Sequence, residues 1–244
     1  MTTLLDIAAL GKRFGGFVAL DGIALTVAAG ERVGLIGPNG SGKSTLVNCI
    51  CGTLRNETGK VSFDGQPIDG LSAHERTRRG LARSFQLPRP FASLSVAENL
   101  RIPLLYTVNA RPGSRLAAAD IDARCGELLA LVGLSDKGRQ FPRDLTQVEM
   151  RKLELARALA AEPKLLIADE SMAGLSQSEV NDIVALLIRL NERGITIILI
   201  EHIMRAVMSF SQRLVVLVSG KKIADGAPAD VIRDPDVERA YLGQ

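Results

Sequence analysis

A glycine-rich segment near the start of the chain constrains the fold more than any other stretch. Gly37, Gly42, Lys43 and Ser44 fit the pattern G-x-x-x-x-G-K-[ST], which is typical of phosphate-binding loops. The mostly apolar residues before the loop predict a buried strand, and the residues after it contain no helix breaker and predict a helix. The whole loop consists of Gly37, Pro38, Asn39, Gly40, Ser41, Gly42, Lys43, Ser44 and Thr45.

This order of strand, glycine-rich turn and helix explains how the loop would bind phosphate. Glycines allow backbone N–H groups to point at a polyphosphate, and the helix dipole stabilises negative charge at the same place. We expect Lys43 to reach the β- and γ-phosphates and the hydroxyl of Ser44 to coordinate Mg²⁺. The alternative is a glycine-rich turn that carries Lys-Ser by chance, but the flanking elements favour a site for a nucleoside triphosphate.

The composition predicts a soluble domain of enzyme size. The chain has 244 residues and 46% hydrophobic residues, which is enough for a large core. The longest apolar runs, residues 195–200 and 214–218, have the length of strands and fall short of the roughly 18 residues of a membrane span. The N-terminus shows no basic region followed by an apolar core, so we expect no secretory signal.

The charge and the cysteine content argue against a nucleic-acid-binding protein and against a cysteine metal site. The net charge of +3 is too small to argue for nucleic acid binding. The cysteines are odd in number and lack metal-ligand spacing, so reduced cytosolic thiols are the expectation; they are Cys49, Cys51 and Cys125. One basic cluster is interpreted as a solvated helix face; it consists of Arg76, Arg78, Arg79 and Arg83.

The order of predicted elements indicates an α/β fold in a single domain, residues 1–244. Two short apolar stretches within residues 4–27 predict antiparallel strands, and residues 59–65 predict another strand that ends in an Asp-Gly turn. Proline-punctuated helical patterns from about 88 to 144 predict a helical subdomain inserted into the core. Strands and helices then alternate, and a strand pair at 214–224 follows.

Two acids follow an apolar strand in the second half of the chain. Residues 165–168 predict a buried strand, and Asp169 and Glu170 come directly after it. We expect Asp169 to hold Mg²⁺ through water and Glu170 to polarise the water that attacks the γ-phosphate. A plain polar strand end is the alternative, but the phosphate-binding loop favours the catalytic interpretation.

Three further features narrow the class of nucleotide-binding protein. Gln86 lies at the edge of the predicted helical subdomain, and His202 follows the strand 195–200. A lone histidine at a strand end is usually only a satisfied side chain, so by itself it is a weak signal. The residues from Leu145 to Arg157 begin a helix just before the acidic strand.

The order of these elements resembles the ATP-binding-cassette (ABC) ATPases over essentially the whole chain. The resemblance implies a P-loop NTPase core with an antiparallel β subdomain and an inserted helical subdomain, which hydrolyses ATP with Mg²⁺. In that family the residue matching Gln86 senses Mg²⁺ and the membrane partner, Glu170 matches the catalytic base, and His202 matches the contact to the γ-phosphate. The aromatic matching Phe14 stacks on adenine; the alternative is a core phenylalanine of an early strand.

A finer resemblance is to the ATP-binding subunits of branched-chain amino acid importers. The resemblance rests on four features: Phe85-Gln86 followed by Leu-Ser-Val-Ala-Glu-Asn-Leu, Ala173-Gly174-Leu175, Ile200-Glu201-His202, and the tail at 226–243. This branch implies a peripheral subunit on the cytoplasmic face of the membrane. It also implies transmembrane permeases, an indirect solute-binding protein and a second ATPase subunit, more often different than identical.

One family motif is altered in this chain. The family signature Leu-Ser-Gly-Gly-Gln contacts the γ-phosphate across a dimer, and the matching residues here are Leu145, Thr146, Gln147, Val148 and Glu149. Thr146 keeps the hydroxyl, but both glycines are lost and an acid replaces the glutamine. Read from the residues alone, Thr146 and Glu149 predict a capping box at the start of a helix. Ser171 and Ser176 are milder departures, from proline and aspartate respectively.

These features predict the ATPase subunit of an importer of branched-chain or hydrophobic amino acids, or of related small polar organic solutes. A soluble ABC protein of DNA repair or translation is the first alternative, although such proteins usually carry two cassettes or long insertions. A weakly hydrolysing nucleotide-binding partner is the second alternative, because the signature is altered. The transported solute is not predicted, because this subunit does not contact it.

Overall fold

The protein is described by a computed structural model of residues 2–85 and 88–242. Its strands are β1 (Thr3–Phe14), β2 (Phe17–Ala28), β3 (Arg32–Ile36), β4 (Thr58–Phe63), β5 (Gln66–Pro67), β6 (Leu81–Ser84), β7 (Leu165–Asp169), β8 (Thr196–Ile200), β9 (Arg213–Val218) and β10 (Lys221–Gly226). Its α-helices are α1 (Lys43–Cys51), α2 (Ala73–Arg78), α3 (Val96–Pro103), α4 (Ala118–Val132), α5 (Gln147–Leu159), α6 (Gln177–Glu192), α7 (Met204–Phe210), α8 (Pro228–Val231) and α9 (Pro235–Leu242).

The central sheet has the strand order β10-β9-β3-β8-β7-β6. Strands β3, β6, β7, β8 and β9 run parallel, and β10 returns antiparallel to β9. Strands β7 and β8 are buried along their whole length, which agrees with their continuous apolar sequences. Because the parallel strands end at the same edge, the ends of β3, β7 and β8 place the predicted site residues side by side.

A second, antiparallel sheet has the order β2-β1-β4-β5 and packs beside α1. The prediction of antiparallel strands is confirmed, but β1 and β2 are 12 residues each, longer than the two short stretches that the sequence suggested. The Asp-Gly turn is confirmed as well, since Asp64 and Gly65 both have positive φ between β4 and β5.

Helices α3 and α4 lie between β6 and α5 in the chain. A π-helical turn (Leu104–Val108) follows α3, and short 3₁₀ turns (Ser135–Lys137 and Pro142–Asp144) follow α4. Buried side chains of α3, α4 and α5 share one apolar core with α6 and with one face of the central sheet. Because these helices share a core with the rest of the chain, the packing does not mark a separate boundary, and the inserted subdomain at 88–144 stays a proposal.

The interpretation of the basic cluster as a solvated helix face is wrong for two of its members. Arg76 on α2 is only 2% exposed, and its guanidinium donates to the carbonyl oxygens of Cys49 and Ile50 at 2.7 and 2.8 Å. Arg83 lies on the strand β6, which the sequence did not predict, and not on a helix. Both side chains satisfy groups that are distant in sequence, which a local charge pattern does not reveal.

No helix among the described residues is long and apolar enough to cross a membrane. The cysteines Cys49, Cys51 and Cys125 are free and buried. Burial raises the pKa of the Cys51 thiol to about 12 and that of the Cys125 thiol to about 11, so both remain protonated near neutral pH.

Candidate functional site

The glycine-rich loop joins the end of β3 to the start of α1 and packs closely against other segments of the same chain. A Cβ atom on Gly37 would lie 2.1 Å from the carbonyl oxygen of Leu217, and one on Gly42 would lie 2.7 Å from that of Ala19. Both glycines also have positive φ, 156° and 104°. Tertiary packing therefore requires glycine at these two positions, independently of any bound phosphate.

Lys43 places a buried positive charge inside the loop. Its ammonium group donates to the carbonyl oxygens of Gly37 and Pro38 at 2.7 and 3.1 Å. Burial lowers the pKa of Lys43, while the negative charges of Glu170 and Asp169 act in the opposite direction. The lysine is thus held by the loop and lies within the electrostatic influence of the two acids at the end of β7.

The other loop residues differ in exposure. Asn39, Gly40 and Ser44 are exposed, and Pro38 and Thr45 are half-buried. Ser41 is buried, and among the described residues its hydroxyl has no hydrogen-bond partner. A buried hydroxyl without a partner is costly, and a phosphate oxygen is one group that would satisfy it.

Ser44, Asp169 and Glu170 line one cavity of about 530 Å³. Ser44 comes from the first turn of α1, and the acids come from the end of β7 and the residue after it. The structure therefore brings together two of the three proposed metal-binding side chains, Ser44 and Asp169, and the proposed base, Glu170; the third, Gln86, lies outside the described residues. The oxygen atoms of a hydroxyl and a carboxylate are ligands that suit Mg²⁺, which usually keeps several waters.

His202 and Glu170 also come together, from different strand ends. The imidazole Nε2 of His202 lies 3.0 Å from Oε1 of Glu170. The backbone N–H of Glu170 donates to the carbonyl oxygen of Ile200 at 2.8 Å, which ties the end of β7 to the end of β8. Glu170 has φ 45°, a left-handed conformation that is unusual for glutamate and common at functional sites.

Glu201 is a neighbour of the site to which the sequence analysis gave no role. Its side chain is buried, and Oε1 accepts a hydrogen bond from the backbone N–H of Met172 at 2.8 Å. Burial raises the pKa of Glu201 to about 7, although backbone N–H groups of Met172 and His202 act in the opposite direction. The signal available in the sequence was the pair of polar residues, Glu201 and His202, that directly follows the apolar strand β8.

Arg83 is a second residue that sequence reasoning missed. From β6 its guanidinium donates through Nε and Nη2 to Oδ2 of Asp169 at 3.1 and 2.5 Å, and through Nη1 to Oδ1 of Asn48 at 2.7 Å. The side chains of Arg83 and Asp169 are 14% and 10% exposed, so little water screens the pair. A basic residue within the short apolar run Leu-Ala-Arg-Ser was the available signal.

Phe14 lies at the exposed end of β1, where it pairs with Phe17 across the turn to β2. Its side chain is 50% exposed, so the alternative of a core phenylalanine is wrong. The ammonium of Lys12 lies 5.5 Å from the centre of the Phe14 ring. An exposed aromatic face is available for stacking, as the adenine prediction requires.

The altered signature begins α5, and the predicted capping box is present. The N–H of Glu149 donates to Oγ1 of Thr146 at 3.3 Å, and the N–H of Thr146 donates to Oε2 of Glu149 at 2.8 Å. Lys137 lies 3.4 Å from the other oxygen of Glu149. The hydrogen bond from the Thr146 backbone is the main reason that the pKa of Glu149 is lowered.

Val148 packs against the apolar core, and Thr146 is exposed. Thr146 is not one of the described residues that line the cavity of Ser44, Asp169 and Glu170. Its predicted contact with a nucleotide bound to a second subunit stays a prediction. The predicted contact of Gln86 with the metal and the membrane partner lies outside the described residues.

A strand, a glycine-rich loop with a buried lysine, a helix and two acids at the end of another parallel strand of the same sheet define a P-loop nucleotide-binding protein. Residues 20–173 match the family described as ABC transporter, and residues 221–244 match the family described as branched-chain amino acid ATP-binding cassette transporter. The chain therefore belongs to the ABC transporter family and is an ATP-binding, ATP-hydrolysing subunit.

Individual relatives agree with this assignment. The chain is 35% identical to the high-affinity branched-chain amino acid transport ATP-binding protein BraF of Pseudomonas aeruginosa, over 99% of this chain and 98% of the relative. A crystal structure of the ADP conformation of an ABC transporter cassette matches with a TM-score of 0.89 and 31% identity, over 100% of both chains. A dimeric cassette structure bound to ADP and Pi matches with a TM-score of 0.82 and 25% identity, over 92% and 99%.

Proposed function

We propose that this chain is the peripheral ATPase subunit of an importer for branched-chain or other hydrophobic amino acids. The observation that carries the proposal is the single cavity that contains Ser44, Asp169 and Glu170, with His202 hydrogen-bonded to Glu170. The similarity to BraF over the whole chain and the match of the C-terminal residues 221–244 support the amino acid class of substrate.

Each residue of the site has a proposed role in ATP hydrolysis. The loop N–H groups and Lys43 bind the phosphates, and Phe14 stacks on the adenine ring. Ser44 and Asp169 would hold Mg²⁺, which would neutralise charge on the phosphates. Glu170 takes a proton from the attacking water, and His202 orients Glu170 through their hydrogen bond and contacts the γ-phosphate.

The signature of this chain completes a site on a second ATPase subunit. In a head-to-tail dimer, Thr146 faces the γ-phosphate held by the partner, while Val148 lacks the close backbone approach that glycine gives. Glu149 is turned away into its cap and paired with Lys137, which limits its repulsion of the nucleotide. We propose a partner with an intact signature, so that the site containing Glu170 of this chain is the more active one.

The groove beside β6 and α3 is the proposed contact with a permease. A cavity of about 330 Å³ lies there, and its lining includes Phe85, Phe91 and Tyr106. These aromatic side chains are 48%, 45% and 69% exposed. Exposed aromatic residues around a groove are typical of protein interfaces. Gln86, the predicted sensor of Mg²⁺ and of the membrane partner, directly follows Phe85 in the sequence.

A transport measurement tests the proposal. The chain is co-expressed with candidate permease, partner ATPase and solute-binding proteins from the same genome, and uptake of labelled leucine is measured in vesicles with ATP inside. We expect uptake with the parent chain and none with Lys43→Ala, because the phosphates lose their buried lysine. Leucine uptake that is equal for the parent and for Lys43→Ala would contradict the proposal.

The altered signature also favours a second candidate function, that of a weakly hydrolysing nucleotide-binding partner, because a dimer of two copies of this chain would have an altered signature at both sites. The two functions differ in the effect of Glu170→Gln on the assembled complex. Loss of most of the ATPase activity supports the catalytic role, whereas an unchanged rate indicates that this chain contributes little hydrolysis.

A further inference from the structure

Arg83 stands between two cavities of the molecule. One is the nucleotide cavity of Ser44, Asp169 and Glu170, and the other is the groove that contains Tyr106. Arg83 lines both of them. Its contacts therefore reach from the proposed metal site to the proposed permease groove.

On the nucleotide side, Arg83 occupies an oxygen of the proposed metal-binding carboxylate. Two of its N–H groups donate to Oδ2 of Asp169, and the third donor is anchored on Asn48 of α1. The forked guanidinium thus joins the end of β7 to the phosphate-loop helix. The guanidinium charge therefore lies close to the place where a divalent cation would bind. Both side chains are largely buried, so water screens this charge only weakly.

On the groove side, Arg83 stacks on an exposed aromatic ring. The guanidinium carbon lies 5.0 Å from the centre of the Phe85 ring, within the range of a cation–π contact. Phe85 is 48% exposed and also lines the groove. A partner that moves Phe85 would therefore move the guanidinium that holds Asp169.

We propose that Arg83 is a positioning residue that takes the place of a metal cation on Asp169 and connects the metal affinity of the site to the state of the groove. Binding of the divalent cation then competes with Arg83 for the carboxylate. The inference rests on the proposed function, because it takes Asp169 as a metal-binding residue.

Arg157 is a matched control for Arg83. It lines the same two cavities, and its guanidinium lies 5.3 Å from the centre of the Phe91 ring. Its acidic partner is Glu154 at 2.8 Å, and its side chain is 18% exposed. The two arginines therefore share charge, stacking and burial, and differ in whether they contact Asp169.

The test is the affinity of the full-length chain for Mn²⁺ in the presence of ADP, measured from the electron paramagnetic resonance signal of free Mn²⁺. We expect Arg83→Gln to bind Mn²⁺ about tenfold more tightly, because a competing charge at short range is removed. Arg157→Gln removes the same charge from the same cavity without freeing Asp169, so we expect a much smaller change in affinity. Unchanged or weaker Mn²⁺ binding by Arg83→Gln would overturn the proposal.

Two further variants keep the outcome interpretable. Arg83→Lys keeps the charge but loses the fork between Asp169 and Asn48, so we expect a smaller gain in Mn²⁺ affinity. If Arg83→Gln does not fold, Arg83→Lys provides the test, and an unchanged Mn²⁺ affinity of Arg83→Lys would then overturn the proposal. Asp169→Asn should weaken Mn²⁺ binding. If it does not, the metal assignment of the proposed function is wrong, and the Arg83 inference, which rests on that assignment, is overturned with it.

A thermal measurement separates this role from a merely structural one. Loss of a structural ion pair lowers the melting temperature equally with and without ligand. If Arg83 substitutes for the metal, Mn²⁺ with ADP should raise the melting temperature of Arg83→Gln more than that of the parent or of Arg157→Gln. An equal rise in all three proteins would contradict the proposal.

Discussion

The imidazole Nε2 of His202 lies 3.0 Å from the carboxylate Oε1 of Glu170, although 32 residues separate them in the chain. The His202 side chain is 43% exposed and that of Glu170 is 22% exposed. Glu170 lines the cavity that also contains Ser44 and Asp169, so the contact places His202 beside that cavity. A histidine in this place can orient the carboxylate toward water on one side and contact a phosphate on the other. Both contacts depend on the ends of β7 and β8, because Glu170 follows β7 and His202 lies just after β8.

Replacement of the proposed base should separate ATP binding from ATP hydrolysis. We expect Glu170→Gln to bind ATP like the parent and to lose about 10²–10⁴-fold in turnover, the usual contribution of a positioned general base. Phosphate release at saturating Mg-ATP measures the rate, and fluorescent-nucleotide titration measures binding. Glu192→Gln, an exposed change on α6, is the control. Parental turnover in Glu170→Gln would show that another group activates the water.

His202→Ala should lower turnover and leave the affinity for ADP nearly unchanged, because ADP lacks the γ-phosphate. The other histidine of the chain, His74, is exposed and bonded to Ser72, so His74→Ala serves as a matched control. Turnover and the dissociation constants of ATP and ADP are measured for both variants. Equal losses of ATP and ADP binding in His202→Ala would instead indicate a role in folding.

Restoration of the family signature should activate the isolated chain. A homodimer of this chain presents two altered signatures, so we expect slow hydrolysis and a several-fold faster rate in Val148→Gly with Glu149→Gln. Removal of an acid near the γ-phosphate is worth about 1 kcal/mol or more at short range. The measurement is steady-state phosphate release at saturating Mg-ATP.

The control for this change is Glu98→Gln, which removes the same kind of capping carboxylate from α3, where Ser95 is the cap. We expect no activation from it. If the double variant folds, binds ATP and hydrolyses it no faster than the parent, the Thr146 cap already serves as a working signature.

Glu201 should make folding stability depend on pH. Burial raises the pKa of Glu201 to about 7, so the folded chain keeps a proton that the unfolded chain releases above its ordinary pKa of 4.5. The stability that this proton provides is complete below pH 4.5 and is lost as the pH rises through 7. Glu201→Gln should therefore gain up to about 3 kcal/mol relative to the parent between pH 5 and pH 8.

Urea unfolding followed by circular dichroism at both pH values measures this difference. Glu75→Gln is the control, because hydrogen bonds from Ser72 lower the pKa of Glu75 below its ordinary value of 4.5. Glu75 is therefore mostly ionised in both states from pH 5 to pH 8, and the relative stability of Glu75→Gln should change little in this range. A relative stability of Glu201→Gln that is the same at both pH values would contradict the prediction.

Local sequence was sufficient where a structure depends on near neighbours in the chain. The strand, loop and helix around Lys43, and the Asp-Gly turn at Gly65, follow from residues only a few positions apart. The capping box of Thr146 and Glu149 was predictable for the same reason, since its hydrogen bonds join residues three apart. Continuous apolar runs likewise predicted the buried parallel strands β7 and β8.

The rest of the site depends on contacts between distant residues. Arg83 meets Asp169 across 86 residues because β6 pairs with β7, and the sequence did not predict β6. Arg76 looked like a surface charge until the fold placed the carbonyl groups of α1 around it. The sequence by itself determined which phosphate-binding and acidic groups the chain carries. Only the order of the parallel strands decided which of them meet, because that order brings distant strand ends to one edge of the sheet.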